Sequence, residues 1–400
     1  MDQTALRNRI AESAAAGAAG TVAVRRHLHQ YPELSFAEHE TVRYLAGRLD
    51  DYGIPYRPAA GTGLVAEIRG GGGPGQTVAL RADLDALPIT ERNEVDYRSR
   101  NPGVMHACGH DVHTACLLGA ARILNGVRGH FAGTVRLLFQ PGEEKLPGGA
   151  TLMIRDGALR EPTPGALFGQ HVHPPLAAGR VGFRPGIYMA STDELYLSVH
   201  GRGGHGAMPH QTVDPVVITA QLITALQQLI SRETDPTLPA VLTFGRIESE
   251  GGATNVIPNA VHLQGTLRTL DEDWRRELHE RLRRTATGLA AALGGRAELR
   301  IEHGYPFLKN DVPLTEWARS QAQCFLGEER VAELPIRMTG EDFAFYTHHV
   351  PACFYRLGVA RPGGPPAPSV HTDTFDVDEA CLETGAGLMA WLAVGRLAGL

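Results

Sequence analysis

The sequence predicts an α/β protein of two domains, a layered α/β domain interrupted by a smaller α+β module with the ferredoxin-like order of elements. Three observations predict it. At 400 residues the chain is too long for one ordinary core and suits two. Its first third alternates strand-like and helix-like segments, and the same texture returns near the end. Between them runs strand, helix, strand, strand, helix, strand over about a hundred residues, the split βαβ pattern. The expected division is 1–186 with 303–400 for the layered domain and 187–302 for the inserted module.

In the first part, Val22 to His29 and Ala37 to Leu49 have helical character, and Leu64 to Ile68 and Thr77 to Leu84 read as strands. Asp111 to Leu124 repeats apolar residues at helical spacing (Val112, Ala115, Cys116, Gly119, Ala120, Ile123). Thr134 to Phe139 is a buried strand that ends in a Pro141-Gly142 turn, and Ala166 to His173 is another strand. In the module, strands are expected over Glu194 to His200, Ala240 to Ile247, Ala260 to Thr269 and Arg296 to Ile301. Helices are expected over Pro215 to Ser231 and Asp271 to Leu293, the second with the acidic start that a helix dipole favours. Phe375 to Leu400 closes the chain as an apolar helix.

Composition excludes several classes of function. Apolar content of 43% and a formal charge of −6 with mixed signs describe an ordinary globular protein. No basic tract points to nucleic acid, and no apolar run is long enough to span a bilayer. Five cysteines, an odd number scattered over the chain, argue against a disulfide framework and for a reducing, cytoplasmic setting. The Ala/Gly-rich stretch from Ser13 to Gly20, flanked by Asp2 and Glu12, reads as a leading helix and not as a secretion signal.

The chemistry concentrates in five segments. His106-Ala-Cys-Gly-His-Asp-Val-His113 places four potential metal ligands in eight positions before a helix, with Asp111 expected as the helix N-cap. Thiolate and neutral imidazole suit zinc and related ions, and Gly109 would let Cys108 and His110 converge. A Cys-x-His pair alone is equally compatible with a buried cysteine and hydrogen-bonded histidines. Leu137-Leu-Phe-Gln-Pro-Gly-Glu-Glu144 delivers two carboxylates at the end of a buried strand, one for a metal and one to take a proton. Arg81-Ala-Asp-Leu-Asp85 places Asp83 and Asp85 where a carboxylate can hold the ring of a ligating histidine; a solvated strand end is the alternative for Asp85. Gln170-His-Val-His173 and Ser369-Val-His371 add single histidines that gain meaning only in this company.

Together these segments resemble the zinc-exopeptidase-like aminoacylase/carboxypeptidase family, most closely its N-acyl-amino-acid amidohydrolase branch of hippurate and auxin-conjugate hydrolases. The resemblance begins at Arg26-His-Leu-His-Gln-Tyr-Pro-Glu-Leu-Ser-Phe36. It continues through Gly201-Arg-Gly-Gly-His-Gly-Ala-Met-Pro-His210, Thr254-Asn-Val-Ile-Pro258, Gly265-Thr-Leu-Arg268 and Met338-Thr-Gly-Glu-Asp-Phe343. It implies a three-layer catalytic domain with an inserted lid and dimerisation domain. It implies two divalent metal ions, zinc or manganese first and cobalt or nickel next, held by Cys108, His110, Glu144, His171 and His371. Cys108 stands where the wider family has a bridging aspartate, and Arg81 where it has a ligating histidine; both departures suit this branch. Glu143 would be the general base and Asp83 the carboxylate behind the ligands. His205 would help hold the oxyanion, and Asn255 and Arg268 would grip the substrate carboxylate. The implied reaction is hydrolysis of N-acyl amino acids, by a homodimer or a tetramer. A carboxypeptidase or dipeptidase shares this metal chemistry, and a non-catalytic binding protein on the same scaffold would lack a ligand or the base.

Overall fold

The computed structural model describes residues 3–365 and 367–399. The chain divides into two compact units: Met1–Gly186, Lys309–Pro335 and Asp342–Leu400 form the first, Ile187–Leu308 and Ile336–Glu341 the second. In chain order come α1 (Gln3–Gln30), α2 (His39–Asp51), β1 (Tyr56–Ala59), β2 (Gly63–Arg69), β3 (Thr77–Asp83), α3 (His110–Gly126), β4 (Thr134–Gln140), α4 (Gly149–Arg155), β5 (Ala166–Ala177), β6 (Val181–Phe183) and β7 (Gly186–Met189). Then follow β8 (Asp193–His200), β9 (Gly204–His205), α5 (Pro215–Gln228), β10 (Ala240–Ser249), β11 (Val256–Ile257), β12 (Ala260–Thr269), α6 (Glu272–Ala292) and β13 (Arg296–His303). The chain closes with β14 (Leu308–Asn310), α7 (Val312–Leu326), β15 (Val331–Glu333), α8 (Ala344–Thr347), β16 (Ala352–Ala360) and α9 (Cys381–Ala398).

The first unit is built on an eight-stranded mixed sheet in the order β1-β2-β4-β3-β5-β16-β6-β15. Its centre, β4-β3-β5-β16, is parallel. Every residue of β3 is buried, as expected of a parallel strand covered on both faces. That explains the apolar run, and it makes Arg81 and Asp83 within that strand conspicuous. Helices α1, α3 and α9 pack on one another. They approach closely where glycine removes a side chain: a Cβ at Gly119 would lie 2.9 Å from that of Ala386.

Two expected boundaries need correction. The first helix runs from Gln3 to Gln30 and takes in the whole Ala/Gly stretch. The last begins at Cys381, not at Phe375. Residues 375–380 are held in extended and turn conformation because Phe375 is buried and Asp376 accepts hydrogen bonds from Arg25 and Tyr97.

Arg25 is the keystone of that corner. Its guanidinium is fully buried, 2.8 Å from Asp111 and 2.9 Å from Asp376. Burial works against ionisation of Asp111, but Arg25 and His29 outweigh it and hold the carboxyl far below its usual range. Replacing Arg25 with methionine leaves a buried carboxylate without its counter-charge and should cost about 3–5 kcal/mol. The sign with pH follows from the depressed pKa: the contribution of Asp111 is complete above its unfolded value of about 3.9 and is lost as pH falls toward the folded value. In urea unfolding, the gap between wild type and Arg25→Met should therefore be narrower at pH 3 than at pH 7. A gap that stays constant would remove the Arg25–Asp111 pair as its source.

The second unit has a four-stranded antiparallel sheet in the order β10-β12-β8-β13. Counted within the unit this is 2-3-1-4, the ferredoxin-like arrangement. Leu195, Leu197 and Val199 alternate inward on β8 and pack with Leu222, Leu226, Leu278 and Leu282 of the two helices. Asp271 caps α6 through the Trp274 N–H at 2.7 Å. Residues 336–341 join this unit because Arg337 pairs with Met189 and the Ala190 N–H donates to the Thr339 carbonyl.

Candidate active site

The parallel strands set the site's position. Asp83 ends β3 in register with Gln140 at the end of β4, and Arg81 is in register with Gly169 on β5, two residues before His171. Three chemistry-bearing segments thus emerge at one edge of the sheet, where open α/β sheets place ligands. The fourth, 106–110, turns there on Gly109, whose φ of +82° belongs to the left-handed region. A Cβ at Gly109 would lie 2.7 Å from Val172 Cγ2, so both conformation and space demand glycine. Asp111 does not cap α3; Gly109 holds the N-cap position with no side-chain cap. Asp111 lies inside the first turn, where its carboxylate is committed to Arg25 and His29.

The five residues expected as metal ligands come together. Cys108 Sγ lies 3.4 Å from His171 Nε2 and 3.3 Å from His371 Nε2. His371 Nε2 is 3.2 Å from Glu144 Oε1, and His110 Nε2 is 4.0 Å from the same oxygen. Two triads result, Cys108–His110–His171 and Cys108–Glu144–His371, each with its donor atoms within 4.8 Å of one another. The thiol belongs to both. Among the described residues, His110 Nε2 is buried with no regular hydrogen bond, and Glu144 Oε1, also buried, has only the His371 contact at hydrogen-bond distance. Buried polar atoms are normally satisfied, so these under-satisfied atoms among soft and borderline donors fit a pair of cations.

Ring orientation is dictated from behind. His171 Nδ1 lies 2.8 Å from the Val172 carbonyl, so it carries the proton and leaves the Nε2 lone pair toward Cys108. His110 Nδ1 donates to Asp85 at 3.2 Å, freeing its Nε2 in the same way. The carboxylate that orients His110 is therefore Asp85. Asp83, expected as the carboxylate behind the ligands, binds His113 Nδ1 at 2.6 Å and Arg81 at 2.7 Å, and stands 3.6 Å from His110 Nε2. The reason is that β3 ends at Asp83, and the chain beyond it turns Asp85 toward His110 and Ser35. His113 has no lone pair to spare, because its Nε2 accepts the Val172 N–H at 2.9 Å. His106 is buried near this segment but joins neither triad; burial pushes its pKa down to about 4.

Glu143 is buried and, with Glu144 and His110, forms a third group of close donor atoms. The Asp342 N–H approaches Glu143 Oε1 at 3.4 Å. Behind the turn lies a buried network that the sequence reading did not anticipate. Arg81 donates to Gln140, Asp83 and Asp342, and Gln140 and the Ala150 N–H also donate to Asp342. Arg81 is thus spent on carboxylates. The Glu-Asp pair of the Met338–Phe343 motif was the available signal for Asp342.

His371 reaches the site at a cost. Its φ of +65° is uncommon for a residue with a Cβ and is worth roughly 1–3 kcal/mol of strain. Its N–H donates to the Ala107 carbonyl at 2.7 Å, tying it to the Cys108 segment. Hydrogen bonds to Cys108 and Glu144 raise its pKa to about 10. Burial, then the neighbouring Glu144, pushes the Cys108 thiol up. Burial, then Arg356, holds His171 neutral. For His110, burial is outweighed by Asp83, Cys108 and Asp85, which favour the charged ring. Such a site holds protons that a cation would replace.

His205, Asn255 and Arg268 all lie in the second unit. His205 is exposed on β9, opposite Val256, and the Gly206 N–H donates to the Asn255 carbonyl. The Ala207 N–H donates to His205 Nδ1 at 3.1 Å, so the ring proton sits on Nε2 and is available as a donor. Arg268, half-buried on β12, makes no hydrogen bond or ion pair among the described residues, and burial lowers its pKa.

The sequence matches the model of peptidase family M20/M25/M40 over residues 79–394. It is 42% identical over 363 residues to the N-acetyl-L-cysteine deacetylase of Bacillus subtilis (strain 168), covering 90% of this chain and 84% of that one. It is 44% identical over 285 residues to the N-acyl-L-amino acid amidohydrolase of Geobacillus stearothermophilus, covering 71% of this chain and 76% of that one. Among solved structures it is similar to the Bacillus subtilis YXEP protein, described as a dinuclear metal binding peptidase from the M20 family. That similarity has a TM-score of 0.81 at 34% identity and covers 96% of this chain and 99% of that one. A family model matching most of the chain, together with relatives alike over most of their lengths, means that this chain belongs to peptidase family M20/M25/M40.

Proposed function

We propose that the chain is a two-metal amidohydrolase that cleaves N-acyl amino acids to a carboxylic acid and a free amino acid. The observation that carries this reading is the pair of triads sharing Cys108, with a further carboxylate, Glu143, alongside. In this reading Cys108, His110, Glu144, His171 and His371 hold the ions, zinc or manganese first, cobalt or nickel next. When bound, the ions supply an acidified water and positive charge for the amide carbonyl. Glu143 accepts the proton of the attacking water and passes it to the departing amine. His205 offers its Nε2–H to the oxyanion. Arg268, desolvated and unpaired, takes the substrate carboxylate with Asn255, the two-pronged fit for which guanidinium is suited.

A substrate panel tests this. Hydrolysis of N-acetyl and N-benzoyl amino acids should appear with added Zn²⁺ or Mn²⁺ and vanish with a chelator. Their methyl esters, lacking the carboxylate, should show a KM raised by about 10–100-fold. Preference for dipeptides over acyl amino acids would transfer the chain to the carboxypeptidase or dipeptidase reading, and no turnover of any amide would end both.

We also assign a homodimer built through the second unit. Strand β10 is an edge strand, and Val241 and Ile247 on it and Val216 and Val217 on α5 are exposed; apolar edges are normally covered. A sedimentation mass of one chain would remove this assignment. All five cysteines are free and four are buried, which supports a reducing, cytoplasmic setting. Among the described residues, no helix is long and apolar enough to cross a membrane.

A further inference from the structure

The segment 33–38, between α1 and α2, lies outside the strands and loops that carry the ligands, yet it touches the site's supports at three points. Ser35 Oγ donates to Asp85 Oδ2 at 2.6 Å, and that same oxygen accepts the Glu144 N–H at 2.9 Å. Glu38 is fully buried, and its Oε1 accepts the Gly142 N–H at 2.8 Å while Thr62 donates to its Oε2. The Phe36 ring packs against Gly142, where a Cβ would come within 2.2 Å of it. Both Phe36 (φ +65°) and Gly142 (φ +60°) adopt left-handed backbone, so two left-handed turns face each other. The Glu33 carbonyl accepts the Ala86 N–H, and Leu34 bridges to Ala86, which fixes the segment beside Asp85.

A buried carboxylate is expensive to desolvate, and burial pushes the Glu38 pKa up despite its hydrogen bonds. An apolar side chain would fill the same space at less cost, so hydrophobic packing does not explain glutamate here. What Glu38 does is hold one backbone N–H, that of Gly142, one residue before Glu143. The turn carrying the two carboxylates is therefore gripped from one outside segment at both ends, at Gly142 by Glu38 and at Glu144 through Asp85 by Ser35.

We propose that Glu38 is a positioning residue for the hydrolytic site, and that segment 33–38 is a brace setting the 141–144 turn so that Glu143 and Glu144 diverge to their separate tasks. This rests on the amidohydrolase reading above. The distinguishing property of a brace is that it depends on the hydrogen bond to Gly142 and not on the charge.

Three variants test it, each followed by Co²⁺ titration for metal affinity, by thermal unfolding, and by kcat and KM on an N-acyl amino acid. Glu38→Ala should weaken metal binding about 10-fold and lower kcat about 10–100-fold with KM changed less than about threefold, the scale seen for groups that orient ligands. Glu38→Gln keeps an acceptor for Gly142 and a donor for Thr62, and should stay within about threefold of wild type in both affinity and kcat. Ser35→Ala removes a small, part-buried hydroxyl, leaves the fold intact, and should lower both quantities about 3–10-fold. Should Glu38→Ala not fold, the glutamine and Ser35 variants still decide the matter. The inference is overturned if Glu38→Ala or Ser35→Ala matches wild type in affinity and kcat, or if Glu38→Gln is as impaired as Glu38→Ala. Wild type that binds Co²⁺ yet turns over no amide would sink the amidohydrolase reading instead, leaving the affinity measurements to judge the brace.

Discussion

Glu143→Gln is expected to retain both metal ions and the fold while kcat falls by about 10³–10⁴-fold, the upper range for a positioned general base. Glu143 and Glu144 are neighbours on one turn, but only Glu144 closes a triad with Cys108 and His371. Glutamine at 143 preserves shape and neutral hydrogen bonding and removes only the ability to take a proton. Glutamine at 144 removes a negative donor, so the same change one residue later should lower metal content first and activity as a consequence. Metal stoichiometry by elemental analysis beside kcat separates the two. Full activity in Glu143→Gln would dismiss it as the base, and the opposite pattern, metal lost at 143 and activity alone lost at 144, would show that the pair is assigned in reverse.

Cys108→Ser should have the larger effect on metal binding, because one sulfur serves both triads. Replacing a soft, anionic thiolate with a neutral hydroxyl weakens both sites together, and a loss beyond about 100-fold in affinity is expected, more than for an orienting group alone. Cys108→Asp, which restores an anion, should recover part of it. The pH dependence follows from the same chemistry. The thiol is pushed up by burial and Glu144, and His371 is raised to about 10, so the metal-free site carries these protons at neutral pH. Binding must release them, and affinity should rise with pH across the neutral range. Calorimetry in two buffers of different ionisation enthalpy counts the protons. A count of zero, or unchanged affinity in Cys108→Ser, would remove the thiolate from the site.

What could be read in advance divides along physical lines. The strand assignments from Thr77, Thr134 and Ala166 follow from largely apolar segments broken by single polar residues, and these segments are apolar because the strands are buried in the sheet. The four module strands were legible from alternation and from their order with two helices. Apolar content puts the helix start at Phe375, six residues early, because it does not reveal that Asp376 is held by Arg25, more than three hundred residues away. A cap at Asp111 is expected for the same reason: its position suits a cap, but its partner lies on α1.

By itself, the sequence determined which chemistry was available: a thiol, imidazoles and paired carboxylates, each next to a strand end or a tight turn, in an order shared with a family of metal-dependent hydrolases. Which of them act together depends on how the segments pack. That Asp85 and not Asp83 holds His110, that His113 has no free lone pair, and that a loop near residue 35 grips a turn near residue 142 are consequences of distance in space. Local sequence sets backbone preference and side-chain type, whereas hydrogen-bond partnership depends on ångström-scale approach between segments that only the packed fold brings together.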